Sequence, residues 1–153
     1  MLGLLAVSVM IFPGCLKNKG CEYNECANTA PGTERAMIAT YLEANSITAT
    51  EHCSGVYYII QEPGTGKRPD ACATIRVKYR GTLQNGSEFD ANNNFVYSLS
   101  GLIKGWQNTI PMLKVGGKMV IYVPPTLAYG PQGYPPDIPA NEFLIFEIEL
   151  LEV

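Results

Sequence analysis

Five cysteines and a single histidine are the side chains here best able to make or break bonds. Cys21, Cys26, Cys53 and Cys72 form an even set, while Cys15 stands apart behind an apolar run and His52 is the only imidazole. In an exported chain an even set reads as disulfides. Four cysteines allow three connectivities, and spacing does not choose among them. A zinc site is the weaker reading, because one histidine beside a cysteine is a sparse ligand set and is more often a surface residue. No serine–histidine–acid triad or metal-ligand constellation stands out, so no metal and no cofactor is expected.

The run from Leu2 to Phe12 is apolar and is followed by Pro13, Gly14 and Cys15. It falls short of the roughly 20 residues that a membrane-spanning helix needs, and has the length of a signal-peptide core ahead of a small residue. Residues 1–14 are therefore expected to be a signal peptide. Cys15 is placed as the diacylglycerol acceptor of a bacterial lipoprotein. No Lys or Arg precedes the run, and an ordinary cleaved signal with an incidental cysteine is the alternative. The polar residues 15–30 read as a tether. This places the chain in the bacterial cell envelope, lipid-anchored to a membrane, with its domain in the periplasm or at the cell surface.

The remainder of the 153 residues suffices for one compact domain, with 46% hydrophobic residues and a net charge of −3. No basic stripe is present, which argues against nucleic acid as a partner. Residues 33–45 predict an accessory helix within residues 31–50, with Thr33 as N-cap, Glu34 in the first turn, and Ile38, Tyr41, Leu42 and Asn45 along one stripe. From Gly55 onward strands and turns take over. Residues 56–61 are β-rich. Residues 73–80 alternate, with Ala73, Ile75, Val77 and Tyr79 on one face. Asn85-Gly86 signals a hairpin, and a shorter strand is expected over residues 95–99. Residues 105–113 predict one helix, with Pro111 beyond its first turn and Gly116-Gly117 ending it. Residues 118–123 and 144–151 alternate again. The fold class is α+β: an antiparallel sheet with one short helix on its apolar face and an additional N-terminal helix.

Ordered motifs then point to a family. Val77-Lys78-Tyr79-Arg80-Gly81-Thr82-Leu83, Asn85-Gly86, Phe89-Asp90, Ile103-Lys104-Gly105-Trp106, Leu113-Lys114-Val115-Gly116-Gly117, Ala128-Tyr129-Gly130, Ile138-Pro139-Ala140-Asn141 and Leu144-Ile145-Phe146 follow in sequence. Together they resemble the FKBP-type peptidyl-prolyl cis-trans isomerases. The resemblance runs from about Val56 to Val153, within a domain taken as residues 51–153. It implies an antiparallel β half-barrel wrapped around one short α-helix, with a shallow apolar pocket between them. By matched position the catalytic residues would be Tyr79, Asp90, Ile103, Trp106, Tyr129 and Phe146, and the substrate-binding residues Phe89, Phe95, Leu102, Tyr134 and Ile138. Tyr79 and Phe146 fall on the apolar faces assigned independently from alternation.

The activity so implied is acceleration of X-Pro rotation in proline-containing, unfolded or partly folded exported proteins. The alternative is a non-catalytic envelope chaperone or binding module on the same fold. Departures from the family pattern affect the loops. Tyr134 stands where many members have histidine, which rules out an obligatory imidazole acid or base there. Asp137 makes the rim more polar. The short Asn92-Asn93-Asn94 segment lacks the arginine that can pair with the pocket aspartate, which leaves binding of macrolide ligands open.

Overall fold

The computed structural model describes residues 21–153. Cys15, the signal peptide and the first part of the tether lie outside the described residues.

The elements are α1 (Gly32–Ala44), β1 (Thr50–Glu51), β2 (Tyr57–Glu62), β3 (Thr74–Leu83), β4 (Glu88–Ser98), α2 (Lys104–Thr109), β5 (Lys118–Val123) and β6 (Leu144–Glu152), with short 3-10 turns between them. The six strands form one antiparallel sheet in the order β1-β2-β5-β6-β3-β4. The pairing of β6 between β5 and β3 sets Phe146 opposite both Ile121 and Gly81.

The two faces of the sheet have different covers. On the inner face Ile75, Val77, Met119, Ile121, Val123, Leu144, Phe146, Ile148 and Leu150 pack with Trp106, Ile110 and Leu113 from the α2 region. Helix α2 crosses so near β5 that a Cβ on Gly105 would overlap the Val123 side chain, so only glycine fits there. On the outer face Tyr57, Ile59, Val120, Tyr122 and Ile145 form an apolar patch, which Ile38 and Leu42 of α1 seal together with Phe143. Beyond that patch the outer face is charged, with Arg80 paired to Glu88 and Glu147, Arg76 to Glu152 and Lys118 to Glu62. The accessory helix therefore lies where the outward side chains are apolar and stops where they become ionic.

Several local expectations shift. Helix α1 begins one residue earlier, with Pro31 as its N-cap at φ −54° and no side-chain cap. Thr33 is inside the first turn. Proline has a preset φ and no N–H to satisfy, so it suits the start of a helix without help from a hydroxyl. Glu34 lies in the first turn as expected and also reaches across to Thr126, accepting from its backbone N–H at 3.0 Å and its hydroxyl at 2.6 Å. Strand β4 is much longer than the expected residues 95–99 and includes the asparagine run. Asn92 faces Tyr79, and the register shifts between Val77 and Tyr79. These asparagines lie on an exposed edge, where side-chain burial leaves no alternation to read. The helix expected over residues 105–113 is α-helical only through Thr109 and continues as a 3-10 turn over Ile110–Met112, because Pro111 cannot donate to an α-helical ladder. Its end is held by Arg68, which donates to the carbonyls of Pro111 (3.0 Å) and Met112 (2.8 Å), while Gly116-Gly117 lie further on, in the turn that leads into β5.

The tether expected over residues 15–30 is pinned from Cys21 onward. Cys21 bonds Cys72 and Cys26 bonds Cys53, with Cα separations of 5.7 and 5.5 Å. Closing segments of 51 and 27 residues removes about 4 kcal/mol of unfolded-chain entropy in each case on the chain-entropy model. His52 is less exposed than expected. Its side chain is 8% accessible, with Nδ1 2.9 Å from the Ser54 hydroxyl and Nε2 3.7 Å from Glu25.

Candidate active site

Strands β3, β4 and β6 and helix α2 each send aromatic rings into one hollow of about 350 Å³. It is lined by Tyr79, Phe89, Asp90, Phe95, Leu102, Ile103, Trp106, Tyr129 and Phe146, together with Gly101. The rings meet edge to face. Trp106 lies 5.1 Å from Tyr79 and 5.2 Å from Phe146, Phe89 lies 5.6 Å from Phe146, and Phe95 lies 5.5 Å from Tyr79. Such pairs are worth about 0.5–1.5 kcal/mol each beyond their burial, so the cluster is self-supporting. Trp106 is only 4% exposed and forms the floor.

Backbone geometry makes this convergence workable. Gly81 stands opposite Phe146 on β6 and Asp90 on β4. A Cβ there would come within 2.5 Å of Phe89 Cζ and 3.0 Å of Phe146 Cε1, so glycine leaves room for the two rings to touch. Ile103 is the N-cap of α2, at φ −57° and ψ 150°. Its carbonyl accepts from the Trp106 and Gln107 N–H groups at 3.0 and 3.2 Å. Its own N–H stays outside the helical ladder.

Polar groups sit at the mouth. The Tyr79 hydroxyl donates to Asp90 Oδ2 at 2.5 Å. Burial, then the hydrogen bond to Asp90 and its negative charge, push the Tyr79 hydroxyl far above the ordinary tyrosine pKa. Burial also raises Tyr129, helped by Asp90 and Tyr134. Both hydroxyls therefore remain protonated donors throughout the neutral range. Among the described lining residues the Asp90 carboxylate is the one group able to act as a base or nucleophile, and it is engaged by the Tyr79 hydroxyl. The arrangement offers an apolar floor, aromatic walls and a few donors at one edge, which suits binding a compact apolar ring beside a peptide carbonyl.

Nine of the eleven expected site residues line this hollow, and two do not. Ile138 is 3% exposed and belongs to the core behind the loop. Its backbone bridges to Tyr134, and Tyr134 is 62% exposed with its ring 5.7 Å from that of Tyr129. Tyr134 thus extends the rim, and Ile138 holds the loop in place. Sequence reasoning missed Gly101 in the lining, and Tyr97, which is not in the lining but backs Phe95. Tyr97 stacks on Phe95 at 5.8 Å with 9° between planes and leaves half its surface free. Its position two residues after Phe95 on the same strand face was the available signal.

Two other places invite comparison. A hollow of about 390 Å³ lies on the outer side of β3, among Lys78, Arg80, Lys118, Glu147 and Glu149. There Arg80 pairs with Glu147 and Glu88, and Lys118 with Glu62, and no ring cluster converges. The groupings Cys21/Asp70/Cys72 and Glu25/Cys26/Cys53 are close enough to hold an ion. In each, however, the two sulfurs are bonded together, which removes the thiolates that would serve as ligands.

Comparison with known proteins gives the hollow a context. The family model described as FKBP-type peptidyl-prolyl cis-trans isomerase matches residues 66–151. The FKBP-type peptidyl-prolyl cis-trans isomerase FkpA of Escherichia coli (strain K12) is 41% identical over 106 residues, covering 65% of this chain and 38% of that protein. The chain thus spans well under half the length of that relative. FK506-binding protein 1 of Rhizopus delemar is 43% identical over 99 residues, covering 60% of this chain and 92% of that protein. The crystal structure of FkpA from Escherichia coli superposes with a TM-score of 0.71 at 35% identity, covering 78% of this chain and 59% of that one. The matched span, the ordered motifs and the antiparallel sheet around a short helix agree, and the chain belongs to the FKBP-type peptidyl-prolyl cis-trans isomerase family.

Proposed function

We propose that the aromatic hollow is a prolyl isomerase site acting on X-Pro bonds of unfolded or partly folded polypeptides. The observation that carries this reading is the meeting of Trp106, Tyr79, Phe89 and Phe146 around one opening. Rotation about a peptide bond faces a barrier of about 18–20 kcal/mol, while the two X-Pro ground states differ by only about 0.5–1 kcal/mol. The task is to lower a barrier with no bond broken. A planar amide carries resonance charge on its oxygen, and twisting reduces that charge. A dry aromatic hollow penalises the planar form more than the twisted one and so favours the transition state. Each 1.36 kcal/mol of such preference is worth about tenfold in rate.

Trp106 would lie under the prolyl ring, with Phe89, Phe146, Ile103 and Tyr79 as walls and Phe95 and Leu102 completing the edge. The Tyr129 hydroxyl and the Ile103 N–H would hold substrate carbonyls. Asp90 would fix Tyr79 and present a negative field near the twisting carbonyl. Tyr134 would contact the chain flanking the proline. The clients would be exported proteins, met at an envelope membrane to which Cys15 is joined by lipid, with residues 1–14 removed as a signal. Support for that location is the sequence pattern around Cys15 and the two disulfides, which belong in an oxidising compartment.

Exchange NMR on a short X-Pro peptide, with no coupling protease, tests the activity. The wild type should accelerate cis–trans exchange. Trp106→Leu should lose at least about tenfold and Tyr129→Phe a smaller factor, with both variants folded. An exchange rate no faster than in buffer would reject the isomerase reading. Mass spectrometry of the native N-terminus should show a diacylated Cys15, and an unmodified terminus would reject the anchor.

A further inference from the structure

Residues 21–30 precede everything that the family model matches, yet they are fastened to the domain at two points, Cys21–Cys72 and Cys26–Cys53. Between these anchors Tyr23 turns inward. Its hydroxyl donates to Asn108 Oδ1 at 2.5 Å, and Asn108 is 1% exposed. Lys104 Nζ stands 5.6 Å from the centre of the Tyr23 ring. Lys104 and Asn108 are one turn apart on α2, so a single side chain grips both ends of a helix six residues long.

The grip continues into the pocket wall. Lys104 Nζ donates to Gln107 Oε1 at 3.2 Å. Gln107 Nε2 in turn donates to the carbonyls of Leu102 at 2.6 Å and Ser100 at 3.2 Å. That backbone carries Gly101, Leu102 and Ile103 to the hollow, and the same helix carries Trp106. A helix this short has little rigidity of its own. Nor does Asn108 have a second tie, since its Nδ2 is buried without a partner among the described residues. Loss of the Tyr23 hydroxyl would therefore leave the whole buried amide unpaired, on the helix that forms the floor.

We infer that Tyr23 is a positioning residue of the pocket: the disulfide-held arm splints α2 from behind and sets where Trp106 and the Ile103 N–H stand. As a statement about rate, this rests on the isomerase reading above. As a statement about geometry, it does not.

Tyr23→Phe in the full chain is the test, because it keeps the ring over Lys104 and removes only the hydroxyl. Well below the variant's own thermal midpoint, kcat should fall roughly three- to tenfold with KM changed less than about twofold. Trp106 is the only tryptophan, so its emission reports the floor directly and should shift in the variant. The paired variant Cys21→Ser with Cys72→Ser should show the same emission shift, and adding Tyr23→Phe to it should change little more. A Tyr23→Phe protein with a lowered midpoint but unchanged kcat and unchanged emission would overturn the inference and leave Tyr23 a purely stabilising contact. An inactive wild type would sink the isomerase reading, and Trp106 emission alone would then decide on Tyr23.

Discussion

Two aromatic clusters lie back to back across this sheet, and only one is open. On the outer face Tyr41 meets Phe143 at 5.2 Å and Tyr122 at 6.2 Å, under α1, and Phe143 is wholly buried. On the inner face Trp106, Tyr79, Phe89 and Phe146 have similar spacings but face a hollow of about 350 Å³. Ring chemistry does not separate them, since edge-to-face contacts occur in both. The separation comes from the cover. Helix α1 presents Ile38 and Leu42 squarely to the outer patch, whereas α2 is too short to roof the inner one and supplies only its floor. The walls are finished by the first residues of β4 and by loops, and the polar groups they bring, Asp90 from the strand and the Tyr129 hydroxyl from a loop, sit at the rim. An aromatic cluster becomes a site where the packing stops one wall short.

That contrast can be broken from either side. The largest effect on stability should come from Phe143→Ala, which empties the sealed cluster and should cost about 3–5 kcal/mol. Measured by urea unfolding, that loss should come with kcat/KM within about twofold of wild type at temperatures where the variant is folded. A comparable loss of turnover would mean that the two faces are coupled. Gly81→Ala should act next most strongly and on the other face. Its new Cβ would strike Phe89 and Phe146, so kcat/KM should drop roughly tenfold while stability falls by about 1–3 kcal/mol. Turnover unchanged in that variant would argue that Phe89 does not need its place against Phe146.

Legibility in the sequence follows the same division. The inner strands were readable because one face is buried and the other solvated, so Ile75, Val77 and Tyr79, and then Phe146, Ile148 and Leu150, could be picked out by alternation. Strand β4 was not, because its exposed edge carries asparagines that propensity assigns to a loop. The site residues were legible through ordered motifs more than through physics, since burial alone predicts Trp106 and Phe146 in any core. Ile138 illustrates a related limit: a loop motif gives residue identity, while the direction of the side chain, here into the core, comes only from the structure. Disulfide pairing and the Tyr23–Asn108 contact were beyond reach, because both join segments far apart in the chain by three-dimensional proximity alone.

The smallest expected effect concerns pH. Tyr79 and Tyr129 both have folded-state pKa values above the ordinary 10.0. Their contribution to stability is thus complete below pH 10 and is lost as pH rises beyond it, since the unfolded chain ionises first. Stability should show no step from these groups between neutrality and pH 10, and then a decline. Ultraviolet titration of the folded protein should find Tyr129→Phe missing one late-ionising phenol. Early ionisation of both would show that their hydroxyls are not buried at the rim.

The central claim is that a prolyl ring enters the open inner cluster and rests on Trp106. Intermolecular nuclear Overhauser effects between an X-Pro peptide and the protein test it most directly. The account predicts contacts from the proline ring protons to the Trp106 indole and to the rings of Phe89 and Phe146. Contacts confined to the outer charged hollow near Arg80 and Lys118, with Trp106 silent, would contradict it.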